Sequence, residues 1–234
     1  MQSLASTTID ALSLLFSGDV ALWEIIGISF RVSCTAILIT SPFALGVAFI
    51  LAYFNFIGRR LLISIFSTLL AFPAVVVGLV VYILLSNHGP LGDWRLLFSQ
   101  TAMIIAQIIL CLPILISMSH AAFQANDHHA WETARTLGIP GFRAFLLIIY
   151  EVKFGLLAAF LAGFGRIIAE VGASMMVGGN ILHHTRNIPT AIALETSKGN
   201  FSQGIALGIV LLLLAFILNI LLQYFQGRGH YRHD

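Results

Sequence analysis

The chain has 234 residues, of which 59% are apolar and 9% charged, with a formal net charge of +2 and a mean hydropathy of +0.96. A soluble domain needs about a quarter of its residues charged to wet its surface, so this chain cannot be coated by water all round, and intrinsic disorder is excluded with it. Too few Lys and Arg remain for a nucleic-acid footprint, and Cys34 and Cys111 both lie in apolar runs, where a thiol is a small hydrophobe and no disulfide framework is supported.

Residues 1–24 read as an extracytoplasmic segment. The first 19 residues have no basic start, carry Asp10 and Asp19 and lack a small-residue cleavage site, so a cleavable signal peptide is not expected. Ile9, Leu12, Leu15 and Phe16 fall at helical spacing opposite Ser and Thr, which suits either a short helix on the membrane surface or a frayed terminus.

Five stretches then reach the roughly 20 apolar residues that a bilayer core of about 30 Å demands: residues 32–54, 61–85, 101–122, 154–177 and 201–225. Runs this long are helices, since about ten alternating residues suffice for a barrel strand. The expected fold is therefore an all-α membrane protein of about five transmembrane helices. Its membrane-spanning domain covers residues 25–226, followed by a short tail, 227–234.

Arg59, Arg60, Arg135, Arg143, Lys153, Arg228 and Arg232 fall on one side of these spans. Arg95, Arg186 and Lys198 fall on the other, with Arg31 near its boundary and Asp10, Asp19, Glu24 and Asp93 for company. The positive-inside rule puts the amino terminus outside and the carboxyl terminus in the cytoplasm. The loop between the third and fourth spans is then cytoplasmic, while 178–200 forms an outer loop.

Within the cytoplasmic loop, residues 127–137 predict one short helix. Asp127 caps its start, Arg135 complements its carbonyl end, and Gly138 and Pro140 stop it. Trp131 stands in this helix with no evident core to enter. It suits a docking knob for a soluble partner or a membrane-interface aromatic equally well.

Glu132-Thr133-Ala134 followed by Gly138 resembles the E-A-A-x-x-x-G signature of the membrane subunits of bacterial ABC importers, with Thr133 in place of a small Ala. The segment 165–180, Gly165-Arg166-Ile167-Ile168-Ala169-Glu170-Val171-Gly172-Ala173-Ser174-Met175-Met176-Val177-Gly178-Gly179-Asn180, is similar to the matching stretch in molybdate, tungstate and sulfate permeases. The tail Ala191-Ile192-Ala193-Leu194-Glu195-Thr196-Ser197-Lys198-Gly199 most closely resembles the tungstate-specific ones. The resemblance covers about residues 25–225 and implies the type I importer permease fold, a homodimer with the pathway along its axis, in a bacterial or archaeal plasma membrane. It implies a coupling helix near 127–140, in which Trp131, Glu132, Thr133, Ala134, Leu137 and Gly138 meet two ATPase subunits. It further implies an extracytoplasmic oxyanion-binding protein as partner, and a path or gate at Arg166, Glu170, Gly172, Ser174, Met175, Gly178 and Asn180. No cofactor is expected in this chain, ATP and Mg belonging to the partner ATPase.

Read from the residues alone, Arg166 and Glu170 are ionisable groups in an apolar run, costly enough to face a partner or water. Their spacing of four sets both on one helical face. Arg166 either lines an anion path or pairs structurally with Glu170. The structural pair is preferred, because a carboxylate on the same face repels an anion. The adjacent histidines, His128-His129 and His183-His184, point about 100° apart if helical and make no two-ligand metal face. His120 reads as a helix-end residue at the interface, and His183-His184 as a solvated loop. No G-x-x-x-x-G-K-[ST] phosphate loop occurs, so any ATP-driven engine lies in another subunit. The competing class, an ion-coupled carrier acting alone, calls for inverted repeats, facing broken helices and coupling carboxylates, and only Glu170 answers clearly to the last.

Overall fold

The structure is a computed structural model that describes Ser13, residues 19–125 and residues 128–230, with residues 128–130 and 225–230 by backbone alone. The surface helix expected at Ile9, Leu12 and Phe16, and the cap expected from Asp127, lie outside the described residues. Among these residues there is no strand. The helices are α1 (Val20–Tyr53), α2 (Arg59–Leu69), α3 (Ala74–Leu85), α4 (Gln100–Gln124), α5 (His128–Thr136), α6 (Gly141–Glu151), α7 (Lys153–Ile168), α8 (Gly172–Gly178), α9 (Ile188–Ser197) and α10 (Phe201–His230), with a 3₁₀ turn at Gly92–Trp94. Three of them, α1, α4 and α10, are long and apolar enough to cross a membrane, and five spans result if α2 with α3, and α6 with α7, each count as one.

Two expected spans are not continuous helices. The 61–85 run breaks after Leu69, where Leu70 to Pro73 form a turn and Pro73 occupies the N-cap of α3 with φ −65°. Proline carries no N–H and pushes the preceding residue out of the helical region, which is the physical cause of the break. The 154–177 run ends as α7 at Ile168 and resumes as the separate short helix α8. Upstream, α6 meets α7 at a bend of 74°. The first span is longer than expected. It begins at Val20, inside the segment set apart as 1–24, and its 34 residues rise about 51 Å, so it projects well past a bilayer core.

The chain divides into two compact units, and α1, α4, α7 and α10 run from one into the other. The first holds α1 as far as Ala36, Pro73–Leu110 and Phe164–Ile217. Its core is Leu22, Ile25 and Ile26 of α1, Ile188 and Ala191 of α9, and Ala206 and Leu207 of α10. In the same unit α3 and α8 pack backbone to backbone. A Cβ on Gly78 would stand 2.7 Å from the Ala173 Cα, and one on Gly172 would stand 2.6 Å from the Val75 Cγ2. Lipid tails are as apolar as leucine, so membrane helices gain by close contact rather than by escape from water, and small residues permit that contact.

The second unit holds Ile37–Phe72, Cys111–Gly163 and α10 from Leu218. Its core gathers Ala48, Phe49 and Ala52 of α1, Phe123 of α4, Ile148 of α6, and Val152 and Leu156 about the α6–α7 bend. By contrast, α10 leaves Leu212, Leu213, Phe216, Ile217 and Ile220 exposed.

Candidate functional site

The first candidate region is α5 and its exit, in the second unit. Gly138 adopts φ +78°, the left-handed conformation that closes a helix without a Cβ penalty. Its N–H donates to Arg135 O at 3.1 Å while Ile139 N–H donates to Ala134 O at 3.1 Å, the paired bonds of a Schellman cap. The Arg135 Nη1 adds a bond to Ile139 O at 3.3 Å, placing the expected cation at the carbonyl end of the helix. Pro140 then serves as N-cap of α6, so one helix ends and the next begins within four residues. Glu132, Thr133, Leu137 and Gly138 are exposed, and Ala134 is buried.

Trp131 differs from its expectation. Far from lacking a core, its ring lies 5.0 Å from Phe49 at 79°, 5.9 Å from Tyr53 and 6.2 Å from Phe54, with the Arg135 guanidinium 5.9 Å from its centroid. Phe49 in turn meets Phe123 at 5.6 Å and Phe145 at 4.8 Å. Edge-to-face rings at these distances attract through their quadrupoles beyond the area they bury. Trp131 therefore fastens α5 to the end of α1. His120 lies near the end of α4, as expected, and is buried at 8% exposure against the Leu51 carbonyl.

The second candidate region lies in the first unit, from the end of α7 to α9. Arg166 and Glu170 do meet: Nη1 lies 2.6 Å from Oε2, with Arg166 about half exposed and Glu170 buried. The other carboxylate oxygen accepts from the backbone N–H of Gly172 at 2.9 Å and of Ala173 at 3.4 Å. Glu170 thus satisfies the free donors that open α8, a role that the i, i+4 spacing alone does not reveal. On α8, Gly172 and Gly178 are packing positions, Ser174 is buried with no partner for its hydroxyl among the described residues, and Met175 is exposed.

Beyond α8, Asn180 sits at φ +51° and becomes the hub of the loop that leads to α9. Arg186 donates Nε to its Oδ1 at 3.2 Å, and its own Nδ2 donates to Thr190 O at 3.3 Å. Thr185 Oγ1 donates to Gly178 O at 2.6 Å and accepts from Ile181 N–H at 2.9 Å. His183 and His184 are exposed, as expected of a solvated loop, and the His183 Nδ1 lies 2.5 Å from Glu24 Oε2 on α1.

Set beside known proteins, residues 44–229 match the family of binding-protein-dependent transport system inner membrane components. The chain belongs to that family. It is 40% identical over 211 residues, 90% of this chain and 88% of its relative, to the tungstate uptake system permease protein TupB of Campylobacter jejuni. It is 38% identical over 226 residues, 97% and 99% of the two chains, to the TupB of Peptoclostridium acidaminophilum. To a probable anion ABC transporter permease protein of Haloferax volcanii it is 40% identical over 210 residues, 88% and 90% of the two chains.

As a permease of this family, the chain is a multi-pass inner-membrane protein. The segment 178–200, expected to be a loop throughout, contains the helix α9. Asn187 caps α9, accepting from Thr190 N–H at 3.1 Å, while Thr190 Oγ1 accepts from Asn187 N–H at 3.1 Å, with Pro189 in the first turn. Asn followed by Pro two residues on is an N-terminal helix signal that was there to be read. At its other end, Glu195 is buried, accepting from Lys198 Nζ at 2.9 Å and Asn200 Nδ2 at 3.0 Å. Burial alone pushes this carboxyl up, but the hydrogen bonds from Lys198 and Asn200, and the charges of Lys198 and Arg186, outweigh it and hold the group below its ordinary range.

Proposed function

We propose that this permease imports tungstate, taking it from an extracytoplasmic oxyanion-binding protein and releasing it to the cytoplasm when ATP-hydrolysing partner subunits close. The observation that carries the reading is the identity of about two residues in five, sustained over nine-tenths of the chain, with permeases named for tungstate uptake. Two chains form the pathway between them, and two ATPases dock on α5 and its exit through Glu132, Thr133, Leu137 and Gly138, all of which are open to solvent. Arg166, Glu170 and the residues of α8 up to Asn180 border the path or its gate. The amino terminus is outside and the carboxyl terminus is cytoplasmic, following the basic residues. ATP and Mg bind only to the partner.

Selectivity in such a system rests on the binding protein, so the decisive experiment uses the whole assembly. The permease is coexpressed with its partner ATPase and binding protein and reconstituted in vesicles, and ATP-dependent uptake of tungstate, molybdate and sulfate is compared. Tungstate uptake at the lowest concentration supports the reading. Preferential molybdate or sulfate uptake replaces the cargo and leaves the architecture, whereas uptake without any ATPase refutes the mechanism.

A further inference from the structure

The last turn of α1 ends in carbonyls that no helical N–H can reach, and left alone such an end frays. Here Arg59, the first residue of α2, folds back on it. Its Nε donates to Leu51 O at 2.6 Å, its Nη2 to Ala52 O at 3.4 Å, and its Nη1 to Asn55 Oδ1 at 3.3 Å. A guanidinium here joins His120 at the Leu51 carbonyl, satisfies that of Ala52, and complements the negative end of the helix dipole. The turn it holds is the one that carries Phe49 and Tyr53, with Phe54 just beyond, the rings against which Trp131 of α5 rests.

We infer that Arg59 is a positioning residue of the coupling step. By locking the end of α1 it keeps the ring socket closed around Trp131, so that α5 and α1 move as one body when a partner displaces α5. Trp131 then works inward, as the rivet, and the docking surface is the opposite, solvent-exposed side of the helix. The inference rests on the reading of α5 as the helix that meets the ATPase. A purely structural Arg59 would stabilise its loop without altering how hydrolysis is converted into movement of the cargo, and that difference is measurable.

In vesicles holding the full transporter, with tungstate as probe, the quantity to follow is tungstate taken up per ATP hydrolysed, alongside the amount of ATPase bound. Arg59→Gln and Trp131→Ala should each lower this ratio at least about fivefold, the factor that corresponds to one net hydrogen bond, while the ATPase stays bound. The double variant should be no worse than the worse single, and Arg59→Lys and Trp131→Phe should recover part of the ratio. An independent arm needs no ATPase: with Trp23 and Trp94 replaced by Phe, the emission of Trp131 should shift to the red and become quenchable from water once Arg59→Gln is introduced. An unchanged ratio or an unchanged emission in Arg59→Gln, or losses that multiply in the double variant, overturns the inference while leaving docking intact. Failure of the ATPase to bind even the unaltered chain removes the docking reading and the inference together.

Discussion

Glu170 joins two interactions that a substitution can pull apart. Arg166→Ala takes away a half-exposed cation and leaves the carboxylate its two backbone donors, so the cost should be about 1 kcal/mol, the level of a solvent-screened pair. Glu170→Ala removes the ion pair and the acceptor for the start of α8 together, and should cost about 2–3 kcal/mol. Thermal unfolding in detergent should therefore rank Glu170→Ala below Arg166→Ala, with the double variant close to Glu170→Ala. A normally stable Arg166→Ala that no longer moves tungstate would make Arg166 a substrate residue instead. Glu195 offers a test by pH. Its folded pKa lies below the unfolded value, so its contribution to stability is fully present above about 4.3 and disappears as pH falls through the lower folded value. The loss of unfolding temperature on acidification through that window should be smaller in Glu195→Gln than in the unaltered chain.

At the scale of elements, α5 depends on its terminus. A Cβ on residue 138 would meet nothing within 4 Å, so the cost of Gly138→Val comes from the left-handed backbone alone, about 1–2 kcal/mol or somewhat more for a branched side chain. The bundle should remain inserted and the ATPase should hydrolyse, but uptake per ATP should drop; Gly138→Asn, which tolerates that backbone, should keep most of it. Gly78→Ala is the opposite case, since its Cβ would strike the Ala173 backbone. A cost of about 1–3 kcal/mol is expected, read as a lowered unfolding temperature, and full stability would show that α3 and α8 can separate freely. These elements also mark how far the sequence could be read. The runs 101–122 and 201–225 were legible because apolar length alone decides them. The break at Pro73 was not, because Pro42 and Pro113 sit inside unbroken helices, and only tertiary packing tells one proline from another. Likewise the Schellman stop at Gly138 was legible from local sequence, whereas the seat of Trp131 is made by Phe49, 82 positions away, which no local pattern reports.

For the molecule as a whole, the basic residues predict which loops face which side. With Cys34 and Cys111 replaced, single cysteines at Asn87 and Ser197, both exposed, should react with an impermeant reagent added to intact cells, and one at Gly227 should not. Protection of the first two together with labelling of the third would invert the arrangement. The overall class was legible from composition, and the oxyanion permease family from two short segments. The division into two compact units was not, because the helices that cross from one to the other read as uninterrupted apolar runs.

One of those crossing helices has a consequence of another kind. Its own chain buries only 11% of the most apolar stretch of α10, within Phe201–Tyr224, so beyond Ala206 and Leu207, which sit in a core, few contacts within the chain fix its inclination. Those 24 residues measure about 36 Å against a hydrocarbon layer of about 30 Å. The surplus must be absorbed by leaning, or by thickening the lipid around it. The lean of α10 beyond Leu207 is thus negotiated with the membrane, and lipids of different chain length should change it while the core that holds Ala206 and Leu207 stays as it is.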